Sequence, residues 1–289
     1  MTRRSLAGLA IFSPAGQMFG QSAATLMTDK SDRETWAWLL KRFKEKEAVK
    51  MRGNRLEYIG MANKGPYAAA VMLNKEGHVV KARFDKANFT NDEWSQLAGF
   101  KHLIDLSCWH NYKSPKKGEP HPDYRLDHEL SGSGLIAFNN HPLQNLNIAG
   151  STFNNFGIEA LRQLPNFRKL MAFHTRVDDD GIKLLEGSPH ITFLNLGPQF
   201  SMRISEKALE SIGKMKALVE LEFNETRVTW ESGLRHLLPL KKQLKRVKLD
   251  KVWLEDGTLE KAREAFPDTT FEYSAPSASQ IDEMKRHLV

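Results

Sequence analysis

Cysteine and long apolar stretches are the features most clearly missing from this sequence. Its 289 residues include a single cysteine, Cys108, which excludes an internal disulfide framework, so the fold must be stabilised by burial. No run of 18 apolar residues occurs, so no membrane-spanning helix is predicted. With 40% hydrophobic residues, the chain is long enough to bury a sizeable core in one or two domains.

Motifs of the common enzyme classes are missing as well. The sequence contains no G-x-S-x-G, no glycine-rich phosphate loop and no H-E-x-x-H. The acidic run Asp178, Asp179 and Asp180 precedes a predicted helix, where capping of the helix N-terminus accounts for at least one of the three. We therefore predict a non-catalytic protein that uses no cofactor.

The charge balance is mildly basic. The formal net charge is +7, and acidic residues are scattered among the lysines and arginines. A nucleic-acid reader needs a continuous basic stripe with stacking aromatics, and Glu220 and Glu222 interrupt such a stripe. We predict no nucleic-acid partner, although the basicity is compatible with another anionic partner.

The first 24 residues combine a basic start with a modestly apolar stretch. Arg3 and Arg4 precede the region from Leu6 to Phe19, and the small residues at 22–24 follow it. The segment around the two arginines resembles a bacterial twin-arginine signal, which implies export to the periplasm or cell envelope. If the segment is not a functional signal, the same sequence predicts a cytoplasmic protein.

An internal repeat of about two dozen residues occupies most of the remaining chain. The pattern L-x-x-L-x-I at Leu143, Leu146 and Ile148 recurs with starts at residues 79, 103, 143, 167, 191, 218, 244 and 268. After each strand-like half, a turn precedes apolar residues at i, i+3 and i+6, which indicates a short capped helix. One strand and one short helix cannot bury their own apolar faces, so neighbouring units are expected to stack.

These units resemble leucine-rich repeats. The segment Thr175 to Ile182, T-x-V-x-D-x-G-I, is similar to a bacterial subtype related to the repeats that accompany F-box domains. The resemblance covers residues 79–273 and implies an α/β solenoid, or horseshoe, with a parallel β-sheet on the concave face and short helices on the convex face. It says little about the ligand, because the family is defined by its core.

Four segments follow from this interpretation. We expect an export signal at 1–24, a capping region at 25–78, about seven repeats plus a closing strand at 79–273, and a C-terminal tail at 274–289. The capping region contains an amphipathic helix pattern at 32–47 and strand-like runs at 49–60 and 66–73. The spacing of 40 residues between two repeat starts indicates an insertion near 112–130.

The outward positions of the predicted strands define a candidate binding surface, because alternate strand residues face away from the core. Large apolar residues on an exposed sheet are typical of interface anchors, and Trp109, Met171, Phe173 and Phe193 occupy such positions. We therefore predict a protein partner at the concave face. The predicted partner-binding residues are Trp109, Asn145, Asn147, Lys169, Met171, Phe173, Phe193, Asn195, Glu220, Glu222, Arg246 and Lys248. The same frame also places Lys81, Arg83, Asp85, Asp105, Ser107, Asn224 and Asp250 on this face.

Two other functions remain open on the sequence. Basic residues of the insertion and the outer repeats could bind an anionic polysaccharide of the cell envelope. A metal-dependent hydrolase could be built on the insertion, whose candidate ligands are His110, His121, His128, Asp123 and Asp127. Their spacing matches no standard zinc pattern, so no metal site is predicted.

Overall fold

A computed structural model describes residues 22–52, 55–61, 69–85, 87–109, 126–198 and 204–287. Most of the predicted export signal and residues 112–125 of the predicted insertion lie outside the described residues, as do residues 110 and 111. No helix in the described part of the chain is long and apolar enough to cross a membrane.

Two helices and an antiparallel sheet form the N-terminal region. Helices α1 (Ala23–Leu26) and α2 (Lys30–Phe43) precede strands β1 (Glu47–Arg52), β2 (Arg55–Met61) and β3 (Ala69–Leu73). The three strands pair antiparallel in sequence order, and β3 pairs antiparallel with β4 (Val79–Asp85), the first repeat strand. The sheet of this region therefore continues into the sheet of the repeats.

Helix α1 begins inside the segment that the sequence assigns to an export signal. Ala23 is only 3% exposed, and its amide donates a hydrogen bond to the Glu47 carboxylate at 3.0 Å. Met27, just after α1, is buried as well. These contacts place Ala23 in the folded N-terminal region, although the predicted signal ends at residue 24.

From β4 onward, each repeat contributes one strand to a parallel sheet. The strands are β5 (Asp105–Trp109), β6 (Asn145–Asn147), β7 (Lys169–Met171), β8 (Phe193–Leu196), β9 (Glu220–Asn224), β11 (Arg246–Asp250) and β13 (Thr270–Ser274). The short strands β10 (Arg227–Val228) and β12 (Trp253–Leu254) form a separate parallel pair. Together with β1–β4, the main sheet has eleven strands in chain order.

The register of this sheet confirms the repeat frame read from the sequence. The second apolar residue of each unit pairs with its equivalent in the next strand, in the order Ala82, Leu106, Leu146, Leu170, Leu194, Leu221, Val247 and Phe271. All eight side chains are buried. Adjacent turns therefore share one dry interior, which each turn could not form alone.

Short helices cover the other side of this interior. They are α3 (Asn91–Leu97), α4 (Asn155–Leu161), α5 (Asp179–Lys183), α6 (Ala208–Ile212) and α7 (Thr258–Ala265), together with the 3-10 helices η1 (Ser133–Phe138) and η2 (Leu234–Leu240). Helix α3 begins with a capping box in which Thr90 and Glu93 satisfy each other's backbone amides. In η2, Pro239 lacks an amide donor, which favours a short helix there.

The helix starts are linked from one repeat to the next by side chains. A side-chain oxygen at or just before the starts of α3, α4, α5 and α6 accepts a backbone amide hydrogen of the following repeat. The four bonds run from Gly132 to Asn91 (3.0 Å), Asp178 to Asn155 (3.2 Å), Ser205 to Asp179 (2.8 Å) and Thr229 to Glu206 (2.6 Å). We call these four acceptors the inter-repeat ladder. They satisfy amides that would otherwise lack a partner in the turn.

The last strand departs from the predicted frame. The sequence places Tyr273 in an apolar slot of the core, but the side chain is 39% exposed. Among the described residues, β13 is the last strand of the sheet, so no further strand covers this side chain there. The tail forms helix α8 (Ala278–His287), of which Met284 is buried while Lys285 lies 5.7 Å from the Trp253 ring centroid. The tail therefore packs near β12, and its described contacts do not enclose Tyr273.

Candidate partner-binding surface

The side of the main sheet that faces away from the core carries the predicted binding residues. We call it the open face, which corresponds to the concave face of the predicted horseshoe. Two rows cross it. One row runs through Asp105, Asn145, Lys169, Phe193, Glu220 and Arg246, and the other through Ser107, Asn147, Met171, Asn195, Glu222 and Lys248. Ten of the twelve predicted residues thus lie in these two rows. Trp109, which pairs with Asp85 at the end of β5, and Phe173, two residues beyond Met171, continue the open face past the second row.

The apolar members of the open face cluster near its middle. Met171 and Phe193 belong to the neighbouring strands β7 and β8, and Phe173 follows β7 by two residues. All three are partly exposed, whereas Leu170 and Leu194 on the same two strands are fully buried. The Phe173 ring also lies against the His174 ring, with centroids 4.8 Å apart. Trp109 ends β5, and its side chain is outside what the structure describes.

Two hollows connect the open face to the N-terminal region. The first has a volume of about 680 Å³ and is lined by Tyr58, Ala70, Met72, Lys81, Ala82, Arg83, Asp85, Asp105 and Ser107. The second, of about 520 Å³, shares Arg83, Asp85 and Ser107 with the first and extends to Asn147, Ala149, Gly150, Phe173 and His174. The shared residues join the two into one groove. It leads from the antiparallel strands to the apolar cluster.

The sequence analysis missed the residues that the N-terminal strands add to this groove. Tyr58, Ala70 and Met72 lie on β2 and β3, outside the repeat frame that defined the predicted surface. Met72 is 45% exposed, which is high for a large apolar side chain. The sequence did contain a signal. Met72 lies in the strand-like run 66–73, and an apolar residue in a strand next to β4 can extend the same face.

The C-terminal end of the open face carries an acidic network around one arginine. The Arg246 guanidinium contacts Glu220 (3.4 Å), Glu222 (2.9 Å) and Glu272 (2.8 Å). The hydrogen bonds that Arg246 donates to Glu272 and Glu222 raise its pKa above the ordinary value, so the cation persists at any physiological pH. Three carboxylates surround one guanidinium, and Lys248 stands between Glu222 and Glu272 in the sheet, so this end of the surface carries both signs of charge.

Two buried asparagines hold one of those carboxylates in place. Asn195 donates its amide to Glu222 at 2.7 Å, and Asn224 donates to the Asn195 side-chain oxygen at 2.8 Å. Asn224 also donates to the Leu196 carbonyl at 2.7 Å. The predicted binding residue Asn195 is therefore only 5% exposed. It positions Glu222 and presents little surface of its own.

A second charged network follows the turns just beyond the strands. His174, Glu225 and Lys251 each stand four positions after a buried strand residue, and each has a positive φ of 52 to 55°. Glu225 accepts a hydrogen bond from His174 at 2.8 Å and pairs with Lys251 at 3.3 Å. The bond from His174 is the main reason that the pKa of Glu225 lies below its ordinary value.

The described end of the insertion has structural contacts. Asp127 accepts hydrogen bonds from Ser131 and from Asn91, and the His128 ring nitrogen Nδ1 accepts the Leu130 amide hydrogen. Burial lowers the pKa of His128, which therefore favours the neutral imidazole. The other suggested ligands, His110, His121 and Asp123, lie outside the described residues.

One parallel strand per repeat, with equivalent leucines side by side, decides the architecture. The fold is a leucine-rich-repeat solenoid. No protein-family model and no curated protein matches this chain. An internalin from Listeria monocytogenes is a similar solved structure, with 14% identity, a TM-score of 0.45, and coverage of 63% of this chain and 44% of that one.

A leucine-rich-repeat protein from Leptospira interrogans is also similar in structure. It shares 14% identity with a TM-score of 0.40, covering 62% of this chain and 45% of that chain. In both comparisons, less than half of the other chain is matched. At this level of identity, the likeness concerns the fold alone.

Proposed function

We propose that this solenoid is a non-catalytic module that binds another protein through its open face. The observation that carries the proposal is the apolar cluster of Met171, Phe173 and Phe193, which is partly exposed on a sheet whose other side is sealed. Apolar side chains surrounded by polar and charged residues are typical of interface anchors. The groove beside the cluster gives a partner a concave surface to enter.

Rigidity supports the same proposal. Hydrogen-bonded strands fix the backbone under the cluster, and the buried amides of Asn195 and Asn224 fix Glu222 beside it. A surface that is ordered before binding loses little conformational entropy in the complex. Affinity can then arise from a few anchors without a catalytic group or a cofactor.

The charge distribution favours a protein over an anionic polysaccharide. A polyanion would need a continuous positive surface, whereas Arg246 is surrounded by three carboxylates at the C-terminal end. At the other end, Lys81 lies 3.7 Å from Asp105, and Arg83 lies 3.1 Å from Asp85. Such mixed charges suit a partner that presents both signs.

The first prediction concerns the apolar anchors. The double variant Trp109→Ala with Phe173→Ala should abolish capture of the partner from a cell-envelope fraction, because it removes aromatic anchors from the open face. The melting temperature should stay nearly unchanged, since these residues are predicted to lie outside the core. Capture is measured by quantitative mass spectrometry of the bound proteins, and the melting temperature by circular dichroism.

A matched control distinguishes binding at the open face from nonspecific hydrophobic binding. Phe156 is 40% exposed and lies on helix α4, on the other side of the solenoid. Phe156→Ala should leave capture intact. Equal capture by the natural protein, the double variant and Phe156→Ala would refute binding at the open face. A large fall in the stability of the double variant would show that its two residues belong to the core. A steep loss of binding with added salt would favour the polysaccharide instead.

We further propose that the chain is exported from a bacterial cytoplasm. The support is the sequence of residues 1–24, with two arginines before an apolar stretch. Because Ala23 is buried and bonded to Glu47, any cleavage should occur before this residue. Intact mass measurement of the protein from the native cell tests this, and an unprocessed cytoplasmic chain would contradict it.

A further inference from the structure

Two imidazoles and a carboxylate meet where the N-terminal region joins the first repeat. His78 precedes β4, His102 lies in the loop before β5, and Asp29 caps the start of α2. One nitrogen of each ring and one carboxylate oxygen all lie within 4.8 Å of one another. The Nε2 atom of His102 is 3.6 Å from Oδ2 of Asp29, and the two ring centroids are 3.9 Å apart.

Local hydrogen bonds fix the Asp29 carboxylate and the His78 backbone. Oδ1 of Asp29 accepts both the amide and the hydroxyl hydrogen of Ser31, at 2.7 and 2.9 Å. This leaves Oδ2 directed towards His102. The His78 backbone is held by Asn74, whose side chain accepts the His78 amide hydrogen at 2.9 Å. The cluster therefore has a defined geometry before any ligand arrives.

Two buried polar atoms beside the cluster have no hydrogen-bond partner among the described residues. They are Nδ1 of His78 and Oδ1 of Asp32. Asp32 is completely buried, and its other oxygen accepts the Val79 amide hydrogen at 2.7 Å. An unsatisfied buried polar atom is unfavourable and requires an explanation. A bound ion near both atoms would supply one.

Asp32 is tied to the same cluster, because the amide whose hydrogen it accepts belongs to Val79, the residue that follows His78. Asp29 and Asp32 are one helical turn apart at the start of α2, so their carboxyls lie on the same side of the helix. A cation placed among the four groups would give the buried Asp32 carboxylate a partner of opposite charge.

We propose that Asp29, His78 and His102 bind a divalent transition-metal ion, with the Asp32 carboxyl as a fourth group beside it. Two imidazole nitrogens with carboxylate oxygens form a ligand set that suits zinc. In tetrahedral coordination at 2.0–2.1 Å, neighbouring ligand atoms stand about 3.3 Å apart. The 3.6 Å separation of His102 and Asp29 is already close to this value, and the His78 nitrogen, within 4.8 Å of both, would move closer when the ion binds.

The ion would act as a structural clamp. Its ligands come from helix α2, from the turn between β3 and β4, and from the loop before β5. One bound ion therefore ties the N-terminal region to the first repeat. The side chain of His102 is 45% exposed and that of Asp29 is 24% exposed, so an ion can reach the site from solvent.

The test is zinc binding by the full chain without a histidine tag. After chelator treatment, isothermal titration with zinc sulfate should show a single site at this cluster. Saturation at about 100 times the Kd should raise the melting temperature by roughly 5–10 °C, and EDTA should reverse the rise. X-ray absorption at the zinc edge should report two imidazole nitrogens in the coordination sphere.

Three variants locate the site. His78→Ala with His102→Ala should weaken zinc binding at this site at least 100-fold, while His190→Ala, at an exposed histidine outside the cluster, should not change it. Asp29→Asn keeps the cap of α2, because an asparagine oxygen can still accept from Ser31, but it loses the anionic ligand and should weaken binding at least tenfold. This variant also tests the proposal if the double variant fails to fold.

Three outcomes would overturn the assignment. Unchanged zinc affinity in the double variant and in Asp29→Asn would place the ion at another site, for example at the histidines of the insertion. Absence of zinc binding at micromolar concentrations would leave His102 and Asp29 as an ordinary ion pair. An absorption spectrum without imidazole ligands would exclude this cluster even if zinc binds.

Discussion

At the scale of single residues, ion pairs in the turns beyond the strands offset the cost of an unfavourable backbone conformation. His174, Glu225 and Lys251 adopt a left-handed conformation that costs a residue with a side chain about 1–2 kcal/mol. Gly150, at the equivalent position of an earlier repeat, has a φ of 68° without this cost. The bonds of Glu225 to His174 and Lys251 offset part of the strain.

Glu225 leads to a prediction about pH. Because its pKa is lower in the folded protein than the ordinary 4.5, the carboxylate stabilises the fold above pH 4.5, and this contribution is lost as the pH falls through the folded pKa. Glu225→Gln should therefore be less stable than the natural protein at pH 7, and the difference should shrink below pH 4. Urea denaturation at both pH values measures it. A difference that does not depend on pH would contradict this account.

At the scale of elements, the inter-repeat ladder explains how short helices keep their positions. Helices of five to seven residues are marginal on their own, yet the segments that start α5, α6 and η2 are each bonded to the repeat before them. Asp179, for example, accepts from both the amide and the hydroxyl of Ser205, at 2.8 and 2.6 Å. The acidic run, which the sequence analysis interprets as a helix cap, therefore has two roles. Asp178 caps α5, and Asp179 bonds the next repeat.

The ladder can be tested at Asp179. Asp179→Ala should destabilise the protein by about 1–3 kcal/mol, because the Ser205 amide loses its acceptor in a partly buried turn. Asp180→Ala changes the neighbouring exposed aspartate and should cost less than about 0.5 kcal/mol. Chemical denaturation of both variants gives the comparison. Equal effects of the two substitutions would show that the ladder contributes nothing.

The sequence predicted the elements that repeat and missed the contacts that do not. Leu146, Leu170 and Leu194 recur at a fixed spacing, so periodicity alone placed them side by side in the core. Asp29, His78 and His102 are 49 and 24 residues apart, and only the docking of the N-terminal region brings them together. Tyr273 was misassigned because periodicity does not show where the stack ends.

At the scale of the whole molecule, different residues of the solenoid serve stability and partner binding. Burial of the repeated leucines stabilises the stack, while the outward strand positions are free to vary with the partner. The open face accordingly differs along its length, from the groove at the N-terminal end, through the apolar cluster, to the acidic network around Arg246. We infer that a partner bound across this face would contact more than one of these regions.

The central claim is that the repeats form one continuous parallel sheet whose outward residues share a face. Lys81 and Lys248 are separated by six strand steps, from β4 to β11, and parallel strands lie about 4.8 Å apart. With Cys108→Ser, spin labels at Lys81→Cys and Lys248→Cys should give a single distance of about 25–30 Å by pulsed electron resonance. A distance above about 40 Å, or two populations, would contradict the continuous sheet.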